Sequence, residues 1–343
     1  MLKKISQWLG GLSGASAGAG EPLAQICLFG KHPGWDDHME DLGLVTQRLV
    51  DVRRALYAEG IAGNIDSGAW EKLSHEAKIA RFDHALVWRF GGSELVYGRL
   101  WASRDARGRD KYPMVACLHC RGLRLDKMAP RGAAIIERLT NACRHTDDAH
   151  SVRGEFLRES EAVKAQAPAF IGVSEAFDAA CLRLAATDAA LLADGGEGLT
   201  RCCYAIWREG EAAAKSIKAG TERGSHVRLP IIDAAELSLG RGGSAWVWTC
   251  VAHDVLGERG VTHDGLLAIE ALEHGHVDLI CCGAESRFAP TELFCLKAAR
   301  GAIPAANEVP YTIEPAFAAL VQARASAWAS DRGSVRANGG ASA

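Results

Sequence analysis

Apolar positions recur along this chain in short alternating runs and in helical stripes, and together they predict its elements. Near the start, Leu2, Ile5, Trp8, Leu9 and Leu12 share one helical face beside Lys3 and Lys4. A Gly/Ala/Ser linker over residues 14–20 follows, closed by Glu21-Pro22. The apolar run at residues 26–29 predicts a buried strand, broken by Gly30, Pro33 and Gly34. Leu44, Leu49, Val52, Leu56 and Tyr57 predict a helix over residues 41–59, with Gly60 as its stop. A second helix is expected over residues 67–79, with Trp70 and Leu73 on its apolar side. Residues 84–90 and 94–102 alternate as strands around the tight link Gly91-Gly92-Ser93. A polar turn then leads into a fourth strand over residues 112–119.

The remainder is richer in helix. Ile135, Ile136 and Leu139 face inward in a helix over residues 126–145, and alanine-rich helices are expected over 152–166 and 174–193. The glycine-rich stretch 194–198 ends the last of these. Beyond it the pattern predicts strands at 199–207, 246–252 and 277–282, a short helix or charged loop at 208–220, and helices at 263–274, 291–299 and 314–328. Residues 331–343 are small and polar and are expected to be disordered. Short successive loops favour antiparallel pairing. The expected class is α+β, mainly an antiparallel sheet flanked by helices, with a second, smaller α/β part. The corresponding organisation is an arm and linker (1–22), an α+β domain (23–165), a second α/β part (166–312) able to pack with the first as one unit, and a C-terminal helix and tail (313–343).

Composition narrows the function. The chain has 343 residues and a net charge of −3, which argues against a general nucleic-acid binder. Its 11 cysteines include the adjacent pairs Cys202-Cys203 and Cys281-Cys282 and form no disulfide framework. Together with the lack of a signal-peptide pattern, they favour reduced thiols and a cytoplasmic protein. No run approaches the ~20 apolar residues of a membrane-spanning helix. The amphipathic arm, residues 1–12, is a candidate for peripheral docking to a membrane or a partner helix.

Candidate chemistry concentrates in two turns. The first, Gly30 to His38, crowds His32, Asp36, Asp37 and His38 together. His32, Asp36 and His38 have the donor types of a divalent-metal hydrolase site, which His119, His253 or His263 would complete. The competing reading is a polar turn whose aspartates bond backbone amides. The second turn carries Asp105, Arg107, Arg109, Asp110 and Lys111 around Gly108, which supplies a positive φ. A charged tip on a hairpin is either solvent-exposed ion pairs or a recognition loop. Trp35, in the first turn, is a candidate interface anchor, while Trp88 and Trp101 read as core. Cys117-x-x-Cys120 is a lone pair in a strand run, with only Cys143 and His145 near it, and reads as core. Gly240-Arg241-Gly242-Gly243-Ser244 leads into an expected strand, so a hairpin turn is favoured over a phosphate loop. No G-x-S-x-G stands between an expected strand and an expected helix, as a nucleophile elbow would.

Read in order, Phe29-Gly30-Lys31-x-Pro33, Trp70, Trp88-Arg89-Phe90, Gly98, Ser103, Asp105-x-x-Gly108-Arg109 and Tyr112-Pro113-Met114 resemble the TagF (ImpM, SciE) family of type VI secretion accessory proteins. That family opens with a GKLP-type turn into Gly-Asp-Phe and carries a later Ser-x-Asp-x-x-Gly-Arg-x-Phe-Pro-Leu hairpin. Here His32 stands at an apolar position and Gly34 to His38 replaces the usual turn. Trp246-Val247-Trp248-Thr249 is similar to a late tryptophan-rich strand of the family. The resemblance implies a non-enzymatic, cofactor-free protein. It would regulate or assemble a type VI secretion system through protein contacts, with a forkhead-associated scaffold protein as partner. It implies that Lys31, His32, Trp35, Asp36, Asp105, Arg107 and Arg109 form the partner-binding turns.

Overall fold

Seven strands pair into one antiparallel sheet in the computed structural model of the protein. The structure describes residues 21–72, 74, 81–90, 94–172, 175–193, 195–218, 225–261, 265–273, 275–282 and 304–330. The strands are β1 (Leu23–Gly30), β2 (Asp83–Phe90), β3 (Glu94–Trp101), β4 (Met114–Arg121), β5 (Ser225–Pro230), β6 (Gly265–Ala271) and β7 (His276–Cys282). Their order is β1-β4-β3-β2-β6-β7-β5. The class is α+β, as the alternation predicts. The β2–β6 pairing, Ala85 opposite Glu270, makes the sheet continuous across the two halves of the chain.

Both faces of the sheet are covered. Ile26, Leu28, Val87, Tyr97 and Leu118 point into the larger core. Above it lie α2 (Leu125–Arg144), α3 (Ala149–Gln166), α4 (Glu175–Thr187), α5 (Ala189–Leu192), α6 (Glu197–Lys218), α7 (Gly243–Glu258) and α8 (Pro315–Ser330). Cys27, Phe29, Trp88, Val96 and Cys117 point to the other side. There they meet Leu49 and Leu56 of α1 (Gln47–Val52) and its continuation, a π-helical stretch over Arg53–Ala62. The period-two alternation along each strand produces this division.

Several expectations are corrected. The first helix begins at Gln47, capped by Thr46, and does not stop at Gly60. Gly60 is buried, and its carbonyl accepts a bond from the Asn64 side chain within the last turn, Gly63–Asp66. Residues 199–207 are the first half of α6, a 22-residue helix, and not a strand. Residues 246–252 lie in α7, also a helix, and 263–274 contains β6, a strand. α7 is buried all round from Gly243 to Ala252, Trp246, Val247 and Trp248 included, so that stretch lacks the polar stripe that marks a surface helix. Each such large side chain contributes roughly 1.5–3 kcal/mol when fully buried. β5 was not expected. The helix expected over 67–79 is not formed where the structure describes it, because Ser67 to Lys72 make turns, and the helix expected over 291–299 and the tail 331–343 lie outside the described residues.

One end of the sheet gathers both motif turns. Gly30 pairs with Met114, Met114 with Trp101 and Trp101 with Asp83. His84 pairs with Ala271, Ala271 with His276 and His276 with Pro230. Both motif turns, the start of β2, the β6–β7 turn and the segment leading from β5 to α7 therefore leave the sheet at the same end.

Candidate functional site

The two motif turns, whose Lys31 and Asp105 are 74 residues apart, meet because β1 and β3 both pair with β4. A buried ion pair joins them: Lys31 Nζ donates to Asp105 Oδ2 at 2.7 Å, with the residues 3% and 1% exposed. Asp105 then organises its own loop. Its Oδ1 accepts the amides of Arg107 at 3.0 Å and Arg109 at 2.9 Å, and its Oδ2 accepts Arg109 Nε at 2.7 Å. Gly108 takes φ +79°, as the turn requires. Burial raises the Asp105 carboxyl pKa, but bonds from Lys31 and from Arg109 overcome it and hold it well below the usual range.

Arg109 closes the clamp. Its Nη2 donates to the Asp36 carbonyl at 2.9 Å and lies 3.1 Å from Asp37 Oδ1. The Ala106 amide donates to the Trp35 carbonyl at 2.8 Å. The polar side chains left on the outside include Asp36, Asp37, His38, Arg104, Arg107, Arg109, Asp110 and Lys111. Arg107 and Asp36 sit 3.7 Å apart at 63% and 80% side-chain exposure, a weak pair at a surface. Trp35 is half-buried. Its Nε1 donates to Glu40, and Arg153 stacks on its ring.

The structure separates the sequence candidates into two kinds. Asp36, Arg107 and Arg109 are exposed, and Trp35 is partly so. Lys31, His32 and Asp105 are interior and act by holding the turns in place. His32 is turned away from Asp36 and His38. Its Nε2 donates to the Cys143 carbonyl at 2.9 Å, and its Nδ1 accepts the Gly34 amide at 3.0 Å. Both ring nitrogens are thus committed in a neutral tautomer, and burial lowers its pKa against the pull of that carbonyl. The metal triad His32, Asp36 and His38 is not assembled, and no metal-holding group of three such residues occurs among the described residues. His119 is bonded to Thr46 and Glu94, His253 lies on α7, and His263 is outside the described residues, as is the arm 1–12.

The cysteines behave as small apolar residues. The nine described thiols are free and buried, and burial pushes those of Cys120 and Cys143 up to about 12. Cys117 and Cys120 face opposite cores, so the C-x-x-C spacing on a strand does not converge them. Gly240 to Ser244 opens α7 and is not a hairpin. Its opening amides already face an acceptor, because the Glu270 carboxylate takes the Ala245 amide at 3.0 Å and the Gly242 and Ser244 amides favour its ionised form.

Two charged clusters escaped the sequence reading. In one, Asp83 receives Arg99, Arg144 and Arg241. In the other, buried Asp278 receives Arg228 at 2.9 Å and His226 at 2.6 Å, with His276 at 3.2 Å. Burial raises the Asp278 pKa, but the two histidines and Arg228 hold it far below the carboxylate range. The signal for the first cluster was present: Arg99 sits inside an apolar strand run, where a buried cation requires a partner. The second was hidden because β5 was not recognised.

No family model and no curated protein matches the chain. Among solved structures, the crystal structure of PA0076 from Pseudomonas aeruginosa PAO1 matches 42% of this chain at 23% identity, with a TM-score of 0.26. The chain spans 62% of that protein's length. A superposition of that quality carries no argument about function. No helix among the described residues is long and apolar enough to cross a membrane.

Proposed function

We propose that this protein is a non-enzymatic, cytoplasmic accessory of a type VI secretion system, acting by protein contacts in regulating or assembling the machinery. The observation that carries the reading is the Lys31–Asp105 pair, which locks the two turns resembling the TagF family into one platform with an exposed charged rim. A buried ion pair is costly to desolvate and gives little net stability, so its contribution here is to specify one arrangement of two loops. Preorganised loops bind at lower entropic cost than mobile ones. The partner implied by the resemblance is a forkhead-associated scaffold protein. Arg107 is the residue to test, because its side chain is exposed and only its backbone is bonded to Asp105. Arg107→Glu is expected to reduce co-precipitation of secretion-system components from the native host by about tenfold while leaving the melting temperature unchanged. Equal recovery of those components by wild type and variant would remove the platform from the interface.

A further inference from the structure

Beside the platform, at the same end of the sheet, lies a polar cleft of about 370 Å³ lined by Arg81, Phe82, Asp83, Ala102, Arg144 and Arg241, with Glu273 at its edge. Its size falls within the range of about 300–1,000 Å³ seen for small-molecule sites. Three guanidiniums face two carboxylates here, so the lining carries a net positive charge.

The positions of these arginines are fixed by separate devices. Arg99, 1% exposed, anchors Asp83 from below at 2.8 Å and is held in turn by Glu137 at 2.7 Å. Asp83 reaches out to Arg144 at 3.4 Å through Oδ1 and to Arg241 at 3.1 Å through Oδ2. Arg144 ends α2 and lies over the ring of Trp101. The loop carrying Arg241 is pinned through its backbone, whose carbonyl accepts Tyr97 Oη at 3.3 Å, and through Gly242 at φ +99°, packed against Ala85. Arg81 is fixed by a two-pronged contact with Glu273 at 2.7 and 2.8 Å. Asp83 holds Arg144 and Arg241 by one contact each, which leaves further N–H donors on each planar fork. Several forks converging from different directions suit a tetrahedral anion, whose oxygens accept from all of them at once.

We propose that this cleft binds a phosphoryl group through Arg144 and Arg241, with Arg81 at its mouth. The phosphate reading of the Gly240–Ser244 segment thus returns in another form, on the arginine side chain and not on the backbone amides. This inference stands apart from the partner platform, and neither depends on the other.

The test is calorimetric titration of the full chain at constant ionic strength with ribose 5-phosphate, inorganic phosphate and ribose. Saturable binding of a phosphate-bearing probe, none of ribose, and a loss of about tenfold in both Arg144→Gln and Arg241→Gln are expected, with Arg124→Gln as an unaffected control. Preference for ribose 5-phosphate assigns an organic monoester, and equal or better binding of inorganic phosphate assigns the free anion. Circular dichroism checks that the variants are folded. If one unfolds, Arg81→Gln supplies the same readout from the exposed mouth. Absence of saturable binding by either phosphate, or binding that persists undiminished in folded variants, overturns the proposal.

Discussion

Lys31, His32 and Asp105 show how far residue type constrains role. In sequence they belong to the same charged motifs as Asp36 and Arg107, yet they lie inside the protein. A lysine in a tight turn is ordinarily solvated; this one is drawn inward because Asp105 waits on the neighbouring hairpin. His32 makes the clearest residue-scale prediction. Its folded pKa is lowered, while the unfolded chain protonates near 6.5. Below about pH 6.5 the unfolded state therefore binds more protons, so the stability His32 contributes is full at neutral pH and declines as pH falls. Urea midpoints at neutral pH and near pH 5.5 should separate less in His32→Gln than in wild type. His253 titrates in the same direction and is retained in both proteins, so the comparison isolates His32. Equal separations would mean that His32 is not held neutral.

At the scale of elements, legibility follows exposure. β1 to β4 could be read because glycines and polar turns mark their ends. α7 and β6 could not. β6 and residues Gly243 to Ala252 of α7 are buried on every side, and a short apolar run without polar faces fits a strand and a helix equally well. β5 was concealed for the opposite reason: His226 and Arg228 break its apolar pattern, and only the fold reveals that Asp278 receives them. Leu199, Cys202, Cys203 and Ile206 stand at i, i+3, i+4 and i+7, so the first half of α6 carries the helical repeat in its own residues, and the strand expected over residues 199–207 runs against that spacing. The start of α7 can be tested directly. Gly242 has φ +99°, and a β-carbon there would lie 2.5 Å from that of Ala85 on β2. Gly242→Ala is expected to destabilise the protein by about 2 kcal/mol in chemical denaturation. A neutral effect would contradict the glycine-opened helix packed on β2.

For the molecule as a whole, the antiparallel order of the sheet brings distant segments to one end. The two motif turns and the arginine cleft are separate in sequence, but they leave adjacent strand ends and are joined through Ala102 and Arg144: Ala102 precedes the second turn, and Arg144 follows Cys143, the residue that accepts His32. Of the residues that carry the TagF resemblance, Lys31 and Asp105 are the ones that join the two turns. The cleft was not forecast, since its arginines come from the residues just before β2, the end of α2 and the β5–α7 segment, and nothing local in the sequence pairs them. The central claim, that the clamped turns form one contact surface, is tested most directly by amide hydrogen exchange on the full chain, alone and with the forkhead-associated scaffold protein of the host's secretion system. The amides of Arg107 and Arg109 are already bonded to Asp105 in the free protein and should exchange slowly. Binding is expected to add protection across residues 34–38 and 104–110 together. Protection of one turn without the other, or of neither while the complex forms, would contradict the account.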